Sequence, residues 1–213
     1  MPQFEASNTP AADPFRIVVL ISGGGSNLQA LIDAQQEPGF GARVVAVGAD
    51  RASAGGLQLA AAAGIATFIE SVKGYSDRVA WDAALTGQVQ AHTPDLVISA
   101  GFLKLVGPMF LQRFAGRYLN THNALLPSFP GIHGPAAALA YGVKISGATL
   151  FFVDDGVDSG PILAQVAVPV QDGDDVATLT ERIKVAERRQ LVDQVGRLAR
   201  EGWTITGRKV SIP

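Results

Sequence analysis

Cysteine is absent from all 213 residues, which removes disulfide staples, thiolate metal sites and a thiol nucleophile together. Charge is sparse and nearly balanced: 17 Lys and Arg against 19 Asp and Glu give a formal net charge of -2 and an isoelectric point near 5.9. No global basic field is offered to an extended nucleic-acid partner, so any phosphate bound here belongs to a small molecule. Long apolar runs are also missing. None reaches the roughly 18 residues of a membrane span, and residues 1–14 lack the positive start and apolar core of a secretory leader. The expectation is a soluble cytoplasmic protein, monomeric or homodimeric, with no nucleic-acid or membrane partner. Histidine occurs only three times, so each copy can be weighed singly.

What is present is a packed-protein composition, 47% hydrophobic with 17% charged residues. The first fourteen residues, with Pro2, Pro10 and Pro14 among small and polar neighbours, read as a flexible tail. Residues 15–213 then form one domain, with a phosphate-binding half over about 15–115 and a catalytic half over about 116–213.

Arg16 to Ser22 is a β-branched run of the kind buried on both faces of a sheet, followed by Gly23, Gly24 and Gly25 and a helix from Asn27 to about Gln36. The alternation continues. Strands are expected at Arg43 to Ala49, Ala66 to Ile69 and Leu96 to Ala100, with helices at Ala54 to Ala63 and Ser76 to Ala91. Further strands fall at Arg117 to Thr121, Ala148 to Val153 and Pro161 to Val170. A helix runs from about Pro135 to Tyr141, a long amphipathic one from about Val176 to Arg200, and Trp203 to Ile212 closes as a strand or hairpin. This order predicts an α/β, Rossmann-like fold, with a mostly parallel central sheet and helices on both faces.

The glycine loop lets backbone approach a ligand closely while free N–H groups at the helix start face any bound anion. Gly24, Gly25, Ser26 and Asn27 are therefore a candidate phosphate cradle. A tight turn capped by Ser26 or Asn27 explains the same spacing. Leu28 stands where the dinucleotide fingerprint needs glycine, and the Walker lysine is missing, so neither nucleotide class is supported.

Asn120 and His122 are two apart on a predicted strand, so their side chains share a face and both can donate to one developing oxyanion. Asp158, set in a turn by Ser159, Gly160 and Pro161, can then orient the imidazole. Asp154, Asp155 and Asp158 also invite a metal reading, but they sit on a loop without a matching acidic cluster, and no metal is expected. His92 ends a helix, where interaction with terminal carbonyls is the simpler role. His133 lies in the proline- and glycine-rich loop after His122, aimed either into a pocket or outward.

Four blocks, IVVLISGGGSNLQALIDA, PDLVISAGFLKLVGPMF, LNTHNALLPSFPGIHG and DDGVDSGPILAQ, resemble the folate-dependent formyltransferases in order and spacing over about Arg16 to Leu198. The Gly-Gly-Ser-Asn loop points to the glycinamide ribonucleotide branch. The resemblance implies the formyltransferase fold and transfer of a formyl group from 10-formyltetrahydrofolate, a cosubstrate, to the amine of glycinamide ribonucleotide. It implies Asn120, His122 and Asp158 as the catalytic trio and Gly24, Gly25, Ser26 and Asn27 on the substrate phosphate. Glu187 would hold the substrate amine, although sequence alone makes it one charge on a solvated helix face. Arg78, Leu103, Lys104, Leu105, Val106, Asn120, Asp154 and Asp158 would bind the folate.

The chain departs from the family pattern at Asn123, Ser128, Phe151, Arg188 and the segment Asp50 to Ala54. A formyltetrahydrofolate hydrolase is the near alternative, expected to need an additional N-terminal domain. Methionyl-tRNA formyltransferase would need an extra C-terminal domain and a basic surface, and a noncatalytic nucleotide-binding module would need none of the trio.

Overall fold

Phe15, Ile17, Val19 and Ile21 alternate with Val18 and Leu20, and every one of them is almost fully buried, so the first apolar run must be covered on both faces. The computed structural model, which describes residues 5–9 and 14–213, places this run in the middle of a sheet. In chain order the elements are β1 (Glu5–Asn8), β2 (Phe15–Ile21), α1 (Ser26–Ala34), β3 (Ala42–Ala49), α2 (Gly56–Ala62), β4 (Ala66–Ile69), α3 (Arg78–Ala91), β5 (Leu96–Ser99), α4 (Pro108–Arg113) and β6 (Tyr118–His122). They continue with α5 (Gly134–Tyr141), β7 (Ile145–Phe152), β8 (Ile162–Pro169), α6 (Val176–Glu201), β9 (Trp203–Thr206) and β10 (Lys209–Ser211).

Seven strands lie in the order β4-β3-β2-β5-β6-β7-β8. The first five run parallel, and β7 and β8 each pair antiparallel with the strand before. Odd-numbered residues of β2 pack with Leu28 and Leu31 of α1 and with Leu191 and Val195 of α6, whereas Val18 and Leu20 meet Trp81 and Leu85 of α3 and Phe110 of α4. Strand order reverses between β2 and β5. In an open sheet that reversal leaves a crevice beyond the carboxyl ends of the two strands. The glycine loop follows β2 and the Gly101–Val106 segment follows β5, so both enter that crevice.

The mostly parallel α/β architecture matches expectation, and three details differ. Part of the expected tail is ordered: Glu5–Asn8 pairs antiparallel with β9, because backbone pairing to an available edge and packing of Ala6 on the core compensate for a weakly apolar sequence. Residues 1–4 and 10–13 of that tail lie outside the described residues. Second, α4 has only six residues and begins after Gly107, and its start is held by the buried carboxylate of Asp82 on α3. Asp82 accepts from Gly107 N at 2.7 Å, Met109 N at 2.9 Å and Phe110 N at 3.3 Å, a long-range cap that no local pattern reveals. Third, β9 and β10 form a hairpin that joins β1 in a separate three-stranded sheet.

The division near residue 115 does not part the elements, since β5 pairs with β6 within one sheet. No described helix is long and apolar enough to cross a membrane.

Candidate active site

Tyr118, Asn120 and His122 lie on one face of β6, with Phe151 of β7 directly opposite Asn120, and together they floor a cleft of about 690 Å³. Its lining is chemically mixed. The glycine loop Gly23 to Asn27 contributes backbone, and the run Leu103 to Val106 with the Asp154 to Asp158 loop contributes apolar side chains and carboxylates. The strand period thus brings Asn120 and His122 to a shared surface.

His122 is 7% exposed, and Nε2 lies 2.9 Å from the carbonyl oxygen of Phe129. A carbonyl only accepts, so Nε2 carries the hydrogen and Nδ1 is the atom free to take up or release a proton. Nδ1 lies 3.6 Å from Asp158 Oδ2, close enough for ionic attraction but beyond a hydrogen bond. The orienting partner of the ring is therefore the Phe129 carbonyl, and Asp158 faces the other nitrogen. Asp158 itself accepts from Gly131 N at 2.7 Å and has φ 52, a left-handed conformation unusual for a residue with a side chain.

Glu187 is the largest departure from expectation. The residue is 3% exposed, and burial pushes its carboxyl up despite hydrogen bonds from Asn27 and Thr121. Asn27 Nδ2 donates to Glu187 Oε1 at 2.5 Å, so the Asn27 side chain turns to the carboxylate and leaves the anion cradle to backbone and Ser26. Two buried acceptors, Glu187 Oε2 and Asn27 Oδ1, have no hydrogen-bond partner and border the cleft. Unpaired buried acceptors fit a ligand that brings N–H donors.

At the cradle, Gly25 has φ 81, and a Cβ on it would stand 2.8 Å from the Cα of Gly56. Gly56 N in turn donates to Gly23 O at 3.1 Å, so α2 backs the loop backbone to backbone. Leu103 and Leu105 are 64% and 67% exposed and give the cleft an apolar wall.

The other candidates are placed as follows. Lys104 lines the cleft, but its ammonium reaches the buried Asp50 at 3.1 Å. Burial raises the Asp50 carboxyl, yet hydrogen bonds from Arg51, Lys104 and Ser22 outweigh that and hold it below the usual range. Arg78 stands behind the wall and outside the described cleft lining: its guanidinium donates to the Leu105 carbonyl and lies 5.0 Å from the Trp81 ring centre. Asp154 accepts from Gly156 N at 3.1 Å and Ser159 Oγ at 2.7 Å, fixing its own loop. His133 is exposed at the start of α5, and His92 stacks on Phe68 at 5.8 Å. Among the described residues, no three His, Asp or Glu side chains form a metal-ligand group.

Sequence reading missed Thr121, Lys184 and the Phe129 carbonyl. Thr121 is signalled by the strand period, which sends it to the face opposite Asn120 and His122. Lys184 lies three residues before Glu187 on α6 and shares its helical face and the cleft. A backbone carbonyl leaves no sequence signal.

A profile described as Formyl transferase matches residues 15–195. Phosphoribosylglycinamide formyltransferase of Mycobacterium tuberculosis is 54% identical over 208 residues, covering 98% of this chain and 96% of that protein. The Escherichia coli protein of the same name is 42% identical over 171 residues, covering 80% of this chain and 81% of its own. The crystal structure of glycinamide ribonucleotide transformylase 1 from Symbiobacterium toebii superimposes with a TM-score of 0.91 at 44% identity, over 95% of each chain. By profile, by relatives matched nearly end to end and by fold, the chain belongs to the formyl transferase family, among the phosphoribosylglycinamide formyltransferases.

Proposed function

We propose that this protein transfers the formyl group of 10-formyltetrahydrofolate to the amine of glycinamide ribonucleotide, yielding formylglycinamide ribonucleotide and tetrahydrofolate for de novo purine synthesis. What supports this reading is one cleft that joins an anion-binding loop, an unpaired buried carboxylate oxygen, a pair of oxyanion donors on β6 and an apolar wall.

The substrate phosphate rests on the backbone of Gly24 and Gly25 and on Ser26, at the start of α1. Its amine donates to Glu187 Oε2 and Asn27 Oδ1. The folate ring lies against Leu103, Leu105 and Val106, with Lys104 held back by Asp50, and the loop carrying Asp154 and Asp158 reads the ring's polar edge. The neutral amine attacks the formyl carbon, a carbon–nitrogen bond forms, and the carbonyl pair moves onto oxygen. Asn120 and the protonated Nδ1 of His122 donate to that oxyanion. On collapse, the bond from the carbon to folate N10 breaks and its electron pair stays on nitrogen. One proton leaves the attacking amine and one reaches N10, with His122 as carrier. Net, a formyl group and a proton exchange places.

Incubation of the purified protein with 10-formyltetrahydrofolate, with and without glycinamide ribonucleotide, tests the reading by following tetrahydrofolate and formylated product separately. Release of both in equal amounts, only with the acceptor present, is expected. Acceptor-independent release of tetrahydrofolate and formate would assign a hydrolase instead.

A further inference from the structure

The loop that carries Asp158 is gripped from outside by the C-terminal hairpin. Arg208, in the turn between β9 and β10, donates through Nη1 to Ser159 O at 2.7 Å and through Nη2 to Gly160 O at 3.3 Å. These are the two carbonyls that follow Asp158. The base of the hairpin is fixed to the other end of the same loop: Trp203 of β9 is 1% exposed, stacks on Phe152 at 5.7 Å and donates its indole N–H to Gly116 O at 3.0 Å. Phe152 is the last residue of β7, where the loop departs. One rigid hairpin therefore contacts both the start and the end of the segment.

The geometry points to Arg208 as a positioning residue for the formyl transfer, acting through the backbone of Ser159 and Gly160 to hold Asp158 in front of His122. The inference rests on the catalytic role given above to Asp158, and it extends the site to a part of the chain beyond residue 195, where the family profile ends.

The need for such a clamp follows from the backbone of Asp158. A left-handed conformation is unfavourable at a residue with a Cβ and persists only where the surroundings impose it. Asp158 is held on one side by its hydrogen bond to Gly131 N. Asp154 ties the loop to itself through Gly156 N and the Ser159 hydroxyl, contacts that leave the carbonyls of Ser159 and Gly160 to another partner. Gly160 packs so tightly on the Phe152 carbonyl that a Cβ would lie 1.8 Å from that oxygen, which seats the loop's end but leaves the rotation of the Ser159–Gly160 and Gly160–Pro161 peptides to be set by what their carbonyls meet. A guanidinium supplies that partner in a fixed fork, and an ammonium would reach one carbonyl at a time. Without it, Asp158 relaxes toward negative φ and its carboxylate swings away from Nδ1 of His122.

The test uses Arg208→Ala, Arg208→Gln and Arg208→Lys in the full chain, with steady-state kinetics in both substrates and amide hydrogen exchange. In Arg208→Ala and Arg208→Gln, kcat is expected to fall roughly 10- to 100-fold, the scale of an angstrom-sized misplacement. KM for glycinamide ribonucleotide stays within about twofold, since its proposed contacts fall on the glycine loop and α6. Arg208→Lys recovers part of kcat. Exchange accelerates at the amides of residues 155–160 and not in β9. In an Asp158→Asn background the Arg208→Ala penalty on kcat disappears, because both changes remove the same group. Wild-type kcat in Arg208→Ala, unchanged loop exchange, or a penalty that persists undiminished beside Asp158→Asn would each overturn the inference. A wild-type protein that transfers no formyl group would overturn the function instead, while the exchange measurement would still decide whether Arg208 orders the loop.

Discussion

Two residues of the cleft, Asn120 on β6 and Glu187 on α6, carry opposite demands. Asn120 is half-buried, and in the proposed reaction it serves mainly the transition state, so Asn120→Ala is expected to lower kcat by roughly 10²- to 10³-fold, with a melting temperature close to wild type. Near-normal turnover would remove it from the oxyanion site. Glu187 instead costs the fold stability. Its carboxyl is raised above the ordinary 4.5 because burial penalises the charge, so the neutral form is the one the fold prefers. Below that ordinary value the group is protonated in folded and unfolded chains alike and costs nothing. As pH rises through the folded value, the buried charge appears and stability is lost. Glu187→Gln should therefore melt like wild type near pH 4 and above it at pH 7 to 8, while glycinamide ribonucleotide binds roughly tenfold more weakly by calorimetry, a difference of about 1.4 kcal/mol. A variant less stable than wild type at neutral pH would contradict this account. Period and spacing made Asn120 and His122 legible. Glu187 was not, because the polar stripe of α6 that contains it faces the cleft, a tertiary fact no helical period carries.

At the scale of elements, what the sequence could not express is who caps whom. The strands announced themselves through β-branched runs and α6 through its amphipathic pattern, and the start of α6 is held by a local, reciprocal capping box of Asp175 and Thr178. The short helix α4 has its cap 25 to 28 residues away, on Asp82. That carboxylate also fixes Gly107, where the apolar wall of the cleft ends. Asp82→Ala leaves three amides facing a hole, two of them partly and one fully buried, and is expected to destabilise the protein by about 2–4 kcal/mol in urea unfolding. Because the wall loosens at one end, KM for the formyl folate should rise while KM for glycinamide ribonucleotide holds. Equal increases in both would mean that Asp82 supports the sheet at large and not the wall.

At the scale of the whole molecule, one crevice draws on segments remote in sequence: the loop after β2, the run after β5, the face of β6, the loop after β7 and one turn of α6. Alternating strands and helices made the crevice foreseeable in kind, but the reversal of strand order between β2 and β5 that opens it depends on pairings chosen over the full chain. The same layout constrains kinetics. With the anion cradle, the apolar wall and the proposed oxyanion donors lining a common cleft, both substrates can be bound before any bond changes. The Phe129 carbonyl fixes Nε2 of His122 and leaves Nδ1 near Asp158 for proton transfer, which suits a proton carrier and not a group that accepts the formyl carbon. Initial rates measured against each substrate at several fixed levels of the other are therefore expected to give intersecting double-reciprocal lines. Rapid quenching without the acceptor should leave no formyl group on the protein. Parallel lines, or a formylated enzyme isolated before glycinamide ribonucleotide is added, would replace direct transfer with a two-step relay through a side chain.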